Sequence, residues 1–451
     1  MRASTFIFLI SLYLLLPVIP LSLFLQAVDE NTTLFIRISR IAGIYAFVWY
    51  SLQFIVTARI RLLEWCIAQD RRLILHMLTA IGVLLIVVIH TSFGNEKYTS
   101  EFQAGLGGTA DFIFLWATLF SGLFFSNYLI RFLPVLIPYR DKIVSFVKLT
   151  HERCLLLHYA MPAGMILLMA HVMLVPGKGL ILFKTCMAII SGSTLTVYLF
   201  HKFIVPRRMQ QHPWKVDQVV QESDAIFSLH FKPPPGRKIN HQAGQFCYIR
   251  PVGSGMPSQS HPFTISSKPD DEGICITIKA VGDFTTDIKK IELGSPVSID
   301  GAYGQFSYKR VPSDNTLVFI AGGIGITPML SMLLDLCIKE PKRKVLLIWG
   351  ARYEKDLIRL NDIQLIQKQM EHFDFQPVLS REPHWHGHQG RIDKKMITEI
   401  LDRNRVNTNF SNQNDCDFFI CGPVGMIDDM LQILKEMNIP GRAVHTERFA
   451  F

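Results

Sequence analysis

Four histidines stand inside long apolar stretches of this 451-residue chain, where ionisable groups are costly and usually functional. His76 and His90 are 14 residues apart, and His158 and His171 are 13 apart. At about 3.6 residues per turn the first spacing is close to four whole turns, so both rings share one helix face. At about 1.5 Å per residue each pair spans roughly 20 Å of depth. Two helices crossing a membrane in the same direction would level His76 with His158 and His90 with His171. Two imidazoles facing each other across a gap are what axial ligation of a haem iron on both faces requires, and two levels make two haems. The alternative is four histidines that only hydrogen-bond within a bundle. On an ideal helix 13 residues rotate the second ring away from the first, so Pro162 between them predicts a kink or bulge that restores alignment. His151 shares a face with His158, but it would set a ligand about 30 Å from His171. It reads as a residue of the cytoplasmic helix end.

The elements that must position these rings are apolar runs near Phe6 to Leu25, Ile41 to Thr57, Leu73 to Ser92, Phe112 to Phe132, Leu155 to Val175 and Leu180 to Val205. Each is about long enough to cross a hydrocarbon layer of roughly 30 Å, which predicts six spans. The first run could instead be a secretory signal, but it exceeds a typical h-region of about 7 to 15 residues and no small-residue cleavage site follows. Basic residues set the orientation. Arg59, Arg61, Arg71 and Arg72 lie between the second and third runs, Arg140, Lys142, Lys148 and Arg153 between the fourth and fifth, and Arg207 and Arg208 after the sixth. The alternate connections carry only Lys97 and Lys178. Both termini are therefore expected in the cytoplasm of a multi-pass cell-membrane protein, and the net charge of +9 reflects this bias rather than nucleic-acid binding. Eight scattered cysteines contain no CxxC, so neither a disulfide framework nor a zinc site is indicated.

After Trp214 the chain changes to short alternating strands broken by Pro and Gly, up to about Val311, the pattern of a small antiparallel barrel. From Leu317 strands alternate with helices, the mark of a parallel sheet with crossover helices. TLVFIAGGIGITPMLSML reads as a strand, a loop with Gly322, Gly323 and Gly325, and a helix start at Thr327, an arrangement that offers backbone amides to a pyrophosphate.

Taken together, HMLTAIGVLLIVVIH, HYAMPAGMILLMAH, QDRRLILH and RISRIAG resemble the ferric reductase and NADPH oxidase superfamily, leaning to its oxidase branch. The resemblance implies that Arg40 partners a propionate of the outer haem, the alternative being a snorkelling arginine at a helix end. AGQF at Ala243 to Phe246, then HPFTISS, resemble the flavin strand of the related ferredoxin reductases. By that resemblance His261, Pro262, Phe263, Thr264 and Ser266 hold FAD, with His261 where many relatives carry Arg, and Gly282 and Thr285 of KAVGDFTTDI meet the diphosphate. FFICGP and HTERFAF match the nucleotide domain: Cys421, Gly422 and Pro423 lie by the nicotinamide, with Cys421 and Glu447 catalytic and an aromatic, Phe449 or the terminal Phe451, over the flavin. An ordinary buried thiol is the alternative for Cys421. Ser380 and Arg381 of LSREP fall where NADPH users grip the 2′-phosphate, which favours NADPH over NADH.

The expected architecture is a six-helix transmembrane bundle with two b-type haems over residues 1–210, an antiparallel β-barrel FAD domain over 211–311, and an α/β NAD(P)H-binding domain over 312–451. Nicotinamide delivers an electron pair as hydride while a haem accepts one electron, so a flavin must stand between them. The expected acceptor is oxygen, reduced to superoxide. Ferric chelates, or an extracytoplasmic protein supplied with electrons, are the alternatives.

Overall fold

The computed structural model describes residues 11–27, 33–60, 63, 67, 69–94, 100–125, 135, 137–140, 142, 158–177, 179–253, 259–406, 408 and 416–448. The chain divides into two compact units, the first ending at Val205 and the second running from Pro206 to Ala450.

In the first unit helix Leu34–Thr57 is central. Apolar residues all round it are buried, among them Ile44, Phe47, Val48, Leu52 and Phe54, which is the pattern of a helix enclosed by others. It packs along Gln69–Phe93 and Ile181–Leu199, while Met161–Met173 packs along Glu101–Phe125. Among the described residues three helices are long and apolar enough to cross a membrane: Leu34–Thr57, Arg71–Phe93 and Ile181–Gln211. Ser11–Ala27 and Met161–Met173 are apolar but shorter. The last of the long helices passes through a π-helical turn at Phe200–Ile204.

Helix Met161–Met173 begins after a turn at Tyr159 and Ala160, and Pro162 occupies its first turn. Proline has no N–H to give to the carbonyl four residues back, that of His158, so helical pairing stops there. This helix start falls between His158 and His171.

In the second unit six strands form an antiparallel sheet of order β4-β3-β6-β1-β2-β5, with β1 Trp214–Ser223, β2 Ile226–Lys232, β3 Phe246–Pro251, β4 His261–Thr264, β5 Ile274–Lys279 and β6 Pro296–Tyr303. A bridge between Ile265 and Ile276 brings the β4 end round to β5. Closure in this way shields the sheet edges and encloses a core of Trp214, Phe227, Leu229, Phe231 and Ile276. Gly244 adopts φ +93°, and a Cβ there would lie 2.1 Å from the Phe306 carbonyl oxygen, so the tight turn of AGQF requires glycine.

The remaining strands are all parallel, in the order β10-β9-β8-β7-β11-β12: β7 Thr316–Gly322, β8 Val345–Ala351, β9 Phe373–Leu379, β10 His388–Gln389, β11 Cys416–Cys421 and β12 Val444–Glu447. Side chains alternate across this sheet, so Phe319 and Leu347 meet helices Ile326–Lys339 and Leu360–Gln369 on one face. Val318, Ile320 and Ile348 meet Lys394–Arg403 and Val424–Glu436 on the other. The strand order reverses between β7 and β11, and in such sheets ligands bind beyond the carboxyl ends of the strands at that reversal. Ser331 Oγ donates to the Ser267 carbonyl at 2.6 Å and Lys339 pairs with Asp270 at 3.0 Å, tying the sheet's first helix to the barrel.

Candidate functional site

In the helical unit the four histidines come together as two facing pairs. The ring centres of His76 and His158 are 6.0 Å apart with planes at 77°, and those of His90 and His171 are 6.3 Å apart at 89°. Two imidazole nitrogens on opposite sides of one metal, each about 2 Å from it, would set the ring centres about 6.4 Å apart. Among the described residues no cluster of three or more His, Cys, Asp or Glu offers a complete ligand set for a bare ion.

The outer Nδ1 atoms are fixed by backbone. His90 Nδ1 donates to the Ser39 carbonyl at 2.8 Å, and His171 Nδ1 donates to the Gln103 carbonyl at 2.8 Å. Four residues on from each carbonyl stands a glycine against the ring: a Cβ at Gly43 would lie 2.8 Å from the His90 ring, and one at Gly107 would lie 3.0 Å from His171 Nδ1. These glycines let the helix backbones approach closely enough to accept, which leaves Nε2 of both outer rings available as ligands. At the inner level His76 Nδ1 is bonded by the side-chain oxygen of Gln53. A cavity of about 610 Å³ opens at the outer pair, lined by His90, His171, Arg40, Ser39, Asp111 and Tyr50 among others. The wall is mostly apolar and carries, besides the two imidazoles, the Arg40 guanidinium, the Asp111 carboxyl and the polar side chains of Ser39, Tyr50 and Gln103. Gln53, Gln103, Gly107 and Asp111 had no signal in the sequence, and Ser39 and Gly43 lie in RISRIAG without being singled out there.

In the second unit the glycine loop sits at the sheet reversal. A Cβ at Gly325 would lie 2.3 Å from the Cys421 carbonyl oxygen, and one at Gly422 would lie 3.1 Å from Gly322. Side chains there would force β7 and β11 apart, so the glycines keep the crevice floor closed. Gly323 takes φ +53°, Thr327 Oγ1 donates to the Ile324 carbonyl at 3.1 Å, and Trp349 Nε1 donates to the Gly323 carbonyl at 3.0 Å. Cys421 ends β11, in register with Glu447 of β12, and Pro423 caps the helix that follows. Burial, helped by the Glu447 charge, pushes the Cys421 thiol well above its usual range, so it stays protonated.

Ser380 and Arg381 follow β9. The Ser380 amide donates to the Ala351 carbonyl at 3.0 Å and the Arg381 amide to the Arg352 carbonyl at 2.9 Å, which extends the β8–β9 pairing past both strand ends. Arg352, which the sequence analysis did not single out, thus lies beside Arg381 at the strand ends, and both are exposed.

On the barrel, His261, Pro262, Phe263 and Thr264 form β4 against β3. The His261 ring packs on Phe284 at 3.9 Å between centres, and burial lowers its pKa, which favours the uncharged ring. Thr285 Oγ1 accepts from the amides of Val281 and Gly282 at 2.9 and 3.0 Å and donates to the Gly282 carbonyl, fixing that loop. Ser266 is not brought to the site. Its side chain is fully buried and bonded to the Cys275 carbonyl and to Thr277, so it serves the barrel interior. Phe449, Phe451 and His151 lie outside the described residues.

The sequence matches the FAD-binding domain family over residues 211–307 and the oxidoreductase NAD-binding domain family over 319–432. It is similar to cytochrome b5 reductase 4 of Mus musculus, 26% identical over 265 residues covering 54% of this chain and 48% of that protein. It is also similar to the phenol hydroxylase P5 protein of Acinetobacter pittii, 30% identical over 224 residues covering 47% and 59%. The chain thus spans about half the length of the curated relatives it matches. Among solved structures, the flavohem-like FAD/NAD-binding domain of nitric oxide dioxygenase from Vibrio cholerae aligns with TM-score 0.46 and 21% identity, over 52% of this chain and 98% of that one. In its second unit, therefore, this chain carries a ferredoxin-reductase-like oxidoreductase module, an FAD-binding barrel followed by an NAD-binding α/β domain.

Proposed function

We propose that this protein is a six-span membrane flavocytochrome that moves electrons from cytoplasmic NADPH, through FAD and two b-type haems, to oxygen on the far side of the membrane, giving superoxide. The observation that carries this reading is the pair of facing imidazole sets, 6.0 and 6.3 Å between ring centres, in one chain with a flavin and nucleotide module. Helix lengths and the distribution of Lys and Arg support the membrane placement.

When bound, FAD would take an electron pair as hydride and release single electrons, which the haems would carry across the membrane. His76 with His158 and His90 with His171 would hold the two irons, through Nε2 where Nδ1 is already engaged. Arg40, in the wall of the outer cavity, offers a guanidinium to a propionate. The loop Gly322–Gly325 receives the nucleotide pyrophosphate. Arg381, Ser380 and Arg352, which backbone pairing brings to one pair of strand ends, favour NADPH, because guanidinium groups suit a 2′-phosphate dianion. Protonated Cys421 walls the nicotinamide pocket without competing as a nucleophile.

With two imidazoles holding each iron, the residues present would leave oxygen no ligand position, so they suit one-electron transfer to an unbound acceptor. Ferric chelates are acceptors of the same kind, which makes ferric reduction the competing reading. Haem titrated against polypeptide in purified protein is expected to approach two. A ratio near one in folded, flavin-loaded protein would overturn the four-ligand assignment.

A further inference from the structure

We propose that Gln53 is the positioning residue of the inner level, holding His76 in the Nδ1–H tautomer and thereby setting the reduction potential of the iron that His76 ligates. The inference rests on the haem reading above. Gln53 is buried, 5% exposed, on the central helix Leu34–Thr57. Its Nε2 donates to Thr79 Oγ1 at 2.6 Å. Thr79 has a single hydroxyl proton, directed to helix carbonyls, that of Leu75 at 2.7 Å and that of His76 at 3.2 Å. Its oxygen is therefore an acceptor toward Gln53, which fixes the amide's orientation. The Gln53 oxygen then points to His76 Nδ1, and an oxygen acceptor there requires Nδ1 to carry the proton. Nε2 is left with its lone pair, the form a metal needs.

The outer level obtains the same tautomers from backbone, the carbonyls of Ser39 and Gln103. Ser39 Oγ, 3.2 Å from His90 Nδ1, donates its own proton to the His90 carbonyl at 2.8 Å and so can only accept from the ring. Among these three hydrogen-bonded rings, His76 is the one whose tautomer depends on a side-chain amide. A stronger acceptor on the distal N–H makes an imidazole more electron-donating, which stabilises the oxidised iron and lowers its potential. Residue 53 thus sets the inner potential independently of the outer one, and with it the driving force between the two levels.

The test is a redox titration of the purified full-length protein, following haem absorbance, with Gln53→Leu, Gln53→Glu and Thr79→Val. Leu removes the acceptor, so one of the two midpoint potentials is expected to shift positive while the other stays. Glu offers a charged acceptor, so the same midpoint should shift negative. Val frees the Gln53 amide to rotate and should give a smaller positive shift. A variant that merely loosened packing would not move one potential in opposite directions for Leu and Glu. If Gln53→Leu fails to retain haem, Gln53→Glu still decides, since it keeps an acceptor in place. Unchanged midpoints in Leu and Glu, shifts of both midpoints together, or loss of haem from both variants would overturn this inference alone. Fewer than two haems in the wild type would overturn the haem reading and this inference with it.

Discussion

Gly43 and Gly107 show how little room the outer rings leave. Each stands four residues beyond the carbonyl that accepts from the ring, and a Cβ at either would come within 3.0 Å of an imidazole. Gly107→Val is therefore expected to push His171 off its position and to lower bound haem from about two per chain to about one, since packed sites tolerate added volume poorly. Haem quantitation checks it, with NADPH-driven flavin reduction retained as the control. At His241 a different single-residue effect operates. Burial lowers its pKa, against smaller opposing effects of backbone acceptors and nearby carboxylates, so folding favours the neutral ring. An unfolded imidazole binds its proton near about pH 6.5. The stabilisation is thus present above that value and is lost as pH falls through the lower folded value. Melting followed by flavin release should show stability declining as pH drops below about 6.5, and less steeply in His241→Gln. An identical pH profile in the variant would show that His241 is not responsible.

At the scale of elements, the ends of β8 and β9 act together. Backbone hydrogen bonds from Ser380 and Arg381 continue the pairing beyond Ala351, so Arg352 and Arg381 come side by side although 29 residues separate them. Replacing either by Ala is expected to reduce kcat/KM for NADPH by roughly ten-fold or more, at about 1.5–3 kcal/mol for a hydrogen bond to a charged group, and to change NADH little. Equal losses with both nucleotides would remove the 2′-phosphate assignment. LSREP made Arg381 legible, because a single strand and its loop are local. Arg352 was not legible, because only strand pairing brings it there. A helix start has a similar lesson: Pro162 suits a first helical turn, but the turn at Tyr159–Ala160 fixes where the helix begins.

For the whole molecule, the proposed path moves negative charge outward across a membrane that is negative inside, gaining about 2.3 kcal/mol per 100 mV for a full crossing. The acceptor is the decisive observable. In sealed vesicles fed with NADPH on the reductase side, cytochrome c reduction on the other side in air is expected to be largely blocked by superoxide dismutase. Reduction that ignores the dismutase, with faster turnover on ferric chelates without oxygen, would move the protein to the ferric reductase reading.

What the amino-acid sequence determined by itself is what repeats locally along the chain. Apolar run lengths, histidine spacing, the glycine loop and the alternation of strands with helices all follow from the rise and period of a helix or strand. The tertiary structure alone decided what meets across elements. The hydrogen-bonded oxygens for His76, His90 and His171 come from residues 23, 51 and 68 positions away, on neighbouring helices. Ser266 turns inward because barrel closure brings Cys275 and Thr277 against it. No local period encodes those approaches, because they arise from how separate apolar faces pack.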